Sequence, residues 1–254
     1  MAFPKKTTPA VSPTDEATMV SLPGEEGSET VSYPGINRKI VRITLTGDCL
    51  LEHRFDSKAK AQMLGKQMQK AQEKTAKDPE ACFERSLYHY PGGGYGFPSN
   101  AFKLAAVTAA KDADMFKTDC RRWFFVLGYL TKINFESPRP DGKARMQEDV
   151  VRITGTTDIR YRGALDNWSA QIDVEYNASR ISLAQLLHIF SLAGFGVGIG
   201  EWRPEKDGDY GRFEVAGAKS VTREYIRENP VAAGQQESDL MNAVVDGTVK
   251  LKVA

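Results

Sequence analysis

With 254 residues, 41% of them hydrophobic, the chain suits one large domain or two closely joined small ones around a sizeable core. Its formal net charge of +1 excludes a uniformly basic nucleic-acid binder, so any basic surface has to be local. Three cysteines without CxxC spacing (Cys49, Cys82, Cys120) exclude a disulfide framework and a cysteine-rich zinc site. No run approaches the ~20 apolar residues of a membrane span, and the start of the chain has no charged-then-apolar signal pattern, so a cytoplasmic location is expected.

Residues 1–35 are rich in Pro, Ser, Thr and Glu and are expected to form a disordered N-terminal arm. An α+β core is expected over 36–215, with an inserted loop near 137–149 and a C-terminal extension over 216–254. Arg38 to Thr46 alternates apolar and polar residues, many β-branched, and predicts a half-buried strand. Lys58 to Lys77 predicts a polar surface helix. Leu87 to Tyr90 is a short aromatic segment entering the first glycine turn, Pro91-Gly92-Gly93-Gly94-Tyr95-Gly96-Phe97-Pro98. Ser99 is placed to cap a helix over Ala101 to Ala110 that buries Phe102, Ala105, Ala106 and Ala109. A second helix is expected over Asp114 to Leu127, with Phe116, Trp123, Phe124 and Leu127 inward.

Ser137 to Arg145, with two prolines and an Asp-Gly pair, predicts a protruding mobile loop. Val150 to Thr154, Thr157 to Arg162 and Trp168 to Tyr176 predict strands, the last two joined by a turn over Gly163 to Asn167. Ser182 caps a helix through Leu192 whose apolar face holds Leu183, Leu186, Leu187 and Phe190. Gly194 is expected to end it as a left-handed cap. A loop then leads into a strand over Tyr210 to Val215, completing a β-α-loop-β module. A short helix is expected over Thr222 to Glu228.

The turn at Gly92 to Pro98 carries glycines that let backbone amides approach an anion, and a helix start with Lys103 follows. It lacks the Gly-Lys-Ser ending of a P-loop. The second glycine-rich segment, Gly194 to Gly200, has a helix before it and a strand after it. That reverses the dinucleotide-binding order, so close packing is the expected role. Arg139, Lys143, Arg145, Arg152, Arg160 and Arg162 cluster in sequence, with Arg160 and Arg162 on one strand face. They are phosphate partners in this reading, with Tyr88, Tyr90, Tyr95 and Trp202 as stacking groups. The interleaved Asp141, Glu148, Asp149 and Asp158 open the alternative of a solvated, self-paired face. Among His53, His89 and His188 no metal-ligand spacing occurs. His89, between two tyrosines, is the one histidine to test as an acid-base group.

This combination resembles the RAMP superfamily, which includes the backbone and guide-processing subunits of CRISPR effector complexes. The resemblance is carried by the helix start Pro98-Ser99-Asn100-Ala101-Phe102-Lys103, the inserted basic loop and the glycine-rich ending from Gly194 to Gly211. The chain is also similar to proteins of bacteriophage early regions. The resemblance implies a ferredoxin-like or RRM-like antiparallel sheet, with helices on one face and an inserted loop. It also implies a subunit that binds RNA or single-stranded DNA and assembles along the strand, as a homo-oligomer or in a multi-subunit complex, in a bacterial or phage-infected cell. The backbone contacts it implies fall on Ser99, Asn100, Lys103, Arg139, Lys143 and Arg145. The expected site joins these with Tyr95, Arg160 and Arg162, with no cofactor, metal or catalysis. The alternatives are an assembly protein that does not bind nucleic acid and a metal-independent endoribonuclease using His89 with a nearby tyrosine.

Overall fold

The computed structural model describes residues 17–22, 29–55, 60–61, 64–65, 78–153 and 156–228. Strands β1 (Ala17–Leu22) and β2 (Glu29–Pro34) pair antiparallel, Ala17 opposite Pro34 and Leu22 opposite Glu29. The arm expected to lack structure over residues 1–35 therefore holds a strand pair, as its Thr18, Val20, Thr30 and Val31 favour. The rest of the arm, and most of the helix expected over 58–77, lie outside the described residues.

The main sheet grows around β3 (Arg38–Glu52) and β8 (Thr156–Asn177), of 15 and 22 residues. Alternation decides their faces. Val41, Ile43 and Leu45 stand opposite Val174, Ile172 and Ala170, all buried. On the other face Arg42 meets Asp173 in a two-pronged ion pair at 2.8 and 2.9 Å. The opposite edge of β8 is shared by three strands in turn. β7 (Arg145–Ile153) takes its start, β6 (Leu130–Glu136) its middle and β5 (Phe124–Val126) its end. β4 (Tyr95–Pro98) extends the sheet beyond β6, and β9 (Glu214–Val221) extends it beyond β3. All seven strands are antiparallel to their neighbours, so the fold is α+β.

Helices cover the apolar face. α1 (Pro79–Ser86) starts on an Asp78 cap with proline in its first turn and buries Phe83. α2 (Ser99–Ala109) and α4 (Leu183–Leu192) touch each other. α4 opens on a capping box in which Ser182 and Gln185 satisfy each other's amides. Between them Phe102, Trp168 and Phe213 form a ring cluster with centroids 6.2 to 6.5 Å apart. α3 (Lys117–Trp123) and α5 (Arg223–Glu228) are short. Among the described residues no helix is long and apolar enough to cross a membrane.

Four further expectations change in the core elements. The helix expected over Asp114 to Leu127 shrinks to α3. Phe124-Phe125-Val126 leave it to pair with β8, and Phe116 is exposed rather than inward. Gly163 to Asn167 is not a turn but lies inside β8. Gly163 is required because a Cβ there would stand 2.1 Å from Leu87 Cδ2. Asn167, at φ 46°, bends the strand without ending it. The strand expected at Tyr210 to Val215 begins at Glu214 and runs to Val221.

The fourth change is at Gly194. The chain leaves α4 through a π-helical turn, Ala193–Val197, and the left-handed residue is Gly198, at φ 69°. Gly194 is instead a packing glycine: a Cβ would lie 1.8 Å from the Phe213 carbonyl oxygen, whereas nothing lies within 4 Å of the Cβ position at Gly196. Gly194→Ala is therefore expected to lose about 2 kcal/mol or more. Gly196→Ala is expected to stay within about 0.5 kcal/mol of the parent. Urea unfolding midpoints at unchanged m-value decide the matter, and a parent-like Gly194→Ala would refute the close-approach role.

Candidate nucleic-acid interface

The first glycine turn is built for close approach. Gly92, Gly93 and Gly94 have φ of 90°, 108° and 80° and are exposed, a run that residues with a side chain rarely adopt. The turn closes through Tyr90 N–H to Gly94 O and Gly93 N–H to Tyr90 O, both 3.0 Å. β4 then carries the chain into α2. Pro98 occupies the cap position, no side chain caps the helix, and its first turn has no acidic residue. Of its first residues Asn100 is exposed at the positive end of the helix dipole.

Ser99 is not the cap that its residue type suggests. It is the first helical residue and fully buried, and its hydroxyl pairs with Thr131 at 2.8 Å. Its amide donates to Tyr129 O at 3.1 Å, which ties the helix start to the β5–β6 turn. Tyr129 is 91% exposed there, after Gly128 at φ 84°. Lys103 lays its ammonium 3.8 Å from the centre of the Phe125 ring, and burial depresses its pKa. Lys132, opposite Gly96 in the ladder, stands beside Gly94. Lys132 thus borders the glycine turn, while Tyr129 lies at the start of α2 and Lys103, one turn further on, meets the Phe125 ring.

The sequence singled out Asn100 and Lys103, which meet in this patch. Tyr95 lies beneath it, buried, with a backbone hydrogen bond to Ala144 that holds the 137–144 loop beside the glycine turn. Phe125, Tyr129 and Lys132 escaped sequence reasoning. A Gly-Tyr turn signal and the alternation Thr131-Lys132-Ile133 would have pointed to the last two.

The predicted basic cluster is largely engaged with carboxylates. Arg139 pairs with Asp141 at 3.1 Å, and Arg145 grips Asp166 with two bonds of 2.9 and 3.0 Å. Arg162, expected on a surface face, is buried between Asp149 at 3.1 Å and Glu201 at 3.7 Å, with the Trp202 ring 5.6 Å away. Lys143 is exposed and Arg160 half-buried. His89 stands 3.4 Å from Glu84 and 5.7 Å, ring to ring, from Tyr95, and His188 is exposed. Among the described residues no group of three His, Cys, Asp or Glu side chains is placed to hold a metal ion.

Removing Asp149 would leave the buried Arg162 guanidinium under-compensated. Asp149→Ala is expected to lose about 3–5 kcal/mol of stability in urea unfolding. A loss below about 1 kcal/mol would show that the pair contributes nothing.

Glu52 behaves oppositely. Burial pushes its carboxyl from 4.5 up to about 8, against a 3.0 Å bond from the Tyr88 amide, and Oε1 has no partner. A carboxyl raised on folding adds stability in full below about pH 4.5, and that stability is lost as pH rises through about 8. Glu52→Gln is expected to remove this loss and flatten the urea midpoint across the window. Parallel midpoint curves for the two proteins would reject the assignment. Compared with protein-family models and with curated proteins, the chain matches none of them.

Proposed function

We propose that this protein binds the sugar-phosphate backbone of single-stranded nucleic acid, without catalysis, through the glycine turn and the start of α2. The observation that carries the reading is a run of three exposed, positive-φ glycines with Lys132 beside it, leading through β4 to a helix start without a side-chain cap, where Tyr129 is exposed and Lys103 lies on the Phe125 ring. Backbone amides and a helix N-terminus favour an anion with little regard to its sequence. Exposed rings beside lysines favour unpaired bases, because a duplex keeps its bases stacked on each other. The near-neutral net charge is compatible with this, since a local pair of lysines needs no basic excess over the whole chain.

A ferredoxin-like reading of the core accompanies the proposal. β3, α2, β6, β8, α4 and β9 follow as β-α-β-β-α-β, and the four strands stand in the order β9-β3-β8-β6. The long β7–β8 hairpin, Arg145 to Ala164, occupies the place of the insertion. Both features support kinship with the RAMP superfamily and a subunit that polymerises along a strand.

Fluorescence anisotropy with a labelled single-stranded oligonucleotide tests the proposal. If about three phosphates are neutralised, affinity should fall about 20-fold between roughly 50 and 200 mM salt. The Lys103→Ala, Lys132→Ala double variant should weaken binding and flatten that dependence. Asn100→Asp should weaken binding while leaving stability unchanged or slightly higher, because a carboxylate suits the helix start but repels phosphate. Absence of binding at low salt would sink the proposal. Assembly seen by mass photometry regardless of oligonucleotide would favour an assembly protein instead.

A further inference from the structure

A second concave surface lies away from the glycine turn, where the β3–β8 ladder meets the π-helical turn. It is a cleft of about 690 Å³ lined by Gly47, Asp48, Trp168, Phe195, Arg212 and Glu214, among others. That volume falls within the roughly 300–1,000 Å³ of small-ligand sites. Trp168 is 1% exposed, and its indole N–H has no acceptor, which is costly for a buried donor. Phe195 is 72% exposed, yet its neighbour Gly194 is pinned by the Phe213 amide at 3.2 Å. The Arg212 guanidinium lies 5.3 Å from the centre of the Phe195 ring. The wall therefore carries an exposed aromatic ring beside a cation, on a backbone anchored at Gly194, a platform for a planar partner.

Charge decides which planar partner. One cation, Arg212, faces two carboxylates, Asp48 and Glu214, so the cleft does not suit a phosphate. Asn167, Ser169 and Ser191 add neutral hydrogen-bonding groups around it. We infer that this cleft receives an unpaired nucleobase, stacked on Phe195 with its polar edge toward Trp168 and the rim. The inference rests on the backbone-binding reading for the delivery of that base. The base belongs to the strand whose phosphates the glycine turn holds.

The test compares an intact single-stranded oligonucleotide with an abasic one of equal length and charge, on the full chain. The intact strand is expected to bind about tenfold tighter. Phe195→Ala should reduce the intact strand to the abasic level without moving the abasic affinity, and Phe195→Trp should keep the preference. Phe195 is exposed, so its truncation spares the core, and an unchanged thermal midpoint verifies this. Equal binding of the two strands by the parent, or equal losses for both in Phe195→Ala, would overturn the inference while leaving backbone binding in place. A nucleoside titration followed by tryptophan fluorescence separates the two sources of a base. Saturation in the parent but not in Phe195→Ala supports the cleft as a base site open to free nucleosides. If neither strand binds but that saturation persists, the backbone reading falls and with it the delivery of the base by a strand, while the cleft stands as a nucleoside site. If neither strand nor nucleoside binds, both fall.

Discussion

One continuous strand with both edges occupied over most of its length is the constraint on which the rest of the molecule depends. β8 pairs with β3 from Gly163 to Asn177 along one edge, and its other edge serves β7, β6 and β5 in succession. Backbone hydrogen bonds bury polar groups that would otherwise have to stay in water. From Gly163 to Asn177 the strand can run through the core because partners line both of its edges, whereas Thr156 to Arg162 pair with β7 alone. Gly163 admits Leu87 against the backbone, and its amide donates to the Ser86 hydroxyl oxygen at 3.0 Å. The irregularity at Asn167, which both the β3 and the β6 ladders skip, goes with a change of register against β6.

The glycine-rich return from α4 to β9 depends on that ladder. Gly200 leaves room for the Leu51 carbonyl, and Glu201 donates to the same oxygen at 3.0 Å. Gly211 donates to Cys49 at 2.7 Å. The return is therefore clamped to the far end of β3. It carries Glu201 and Trp202 to the buried Arg162, and it seats Phe195 beside the cleft at Trp168. The candidate backbone interface stands on a different support, the β4–β6 pairing that orients the start of α2. Two candidate sites of opposite electrostatic character thus occupy one scaffold. One is rimmed by lysines around backbone amides; the other has carboxylates and neutral groups around rings.

Periodicity was a reliable guide where it was long. Trp168 to Tyr176 alternates in the structure as in the sequence, and the face of α4 buries Leu186 and Phe190 as its spacing predicts. It failed where one residue type carries two meanings. A glycine marks a turn when the backbone needs positive φ and a contact when a neighbour needs the space. Gly163 and Gly194 belong to the second kind. Arginine is ambiguous in the same way. Asp149 and Asp166 are distant from Arg162 and Arg145 along the chain, and only strand pairing brings them within bonding distance. The aromatics of the backbone patch went unread because Phe125 lies in a segment with helical spacing, and its strand exists only through β8.

The sequence by itself determined the α+β class, the strand from Trp168 to Tyr176 and the helix after it, and the glycine turn leading into a helix with Lys103. These follow from local rules: alternation, capping residues and the freedom of glycine. Only the tertiary structure decided which cations remain available to a ligand. It also decided that Ser99 is buried against Thr131 and that Lys132 and Tyr129 flank the helix start. Charge pairing and burial depend on distances between residues far apart in the chain. Local pattern carries no information about those distances until the strands have chosen their partners.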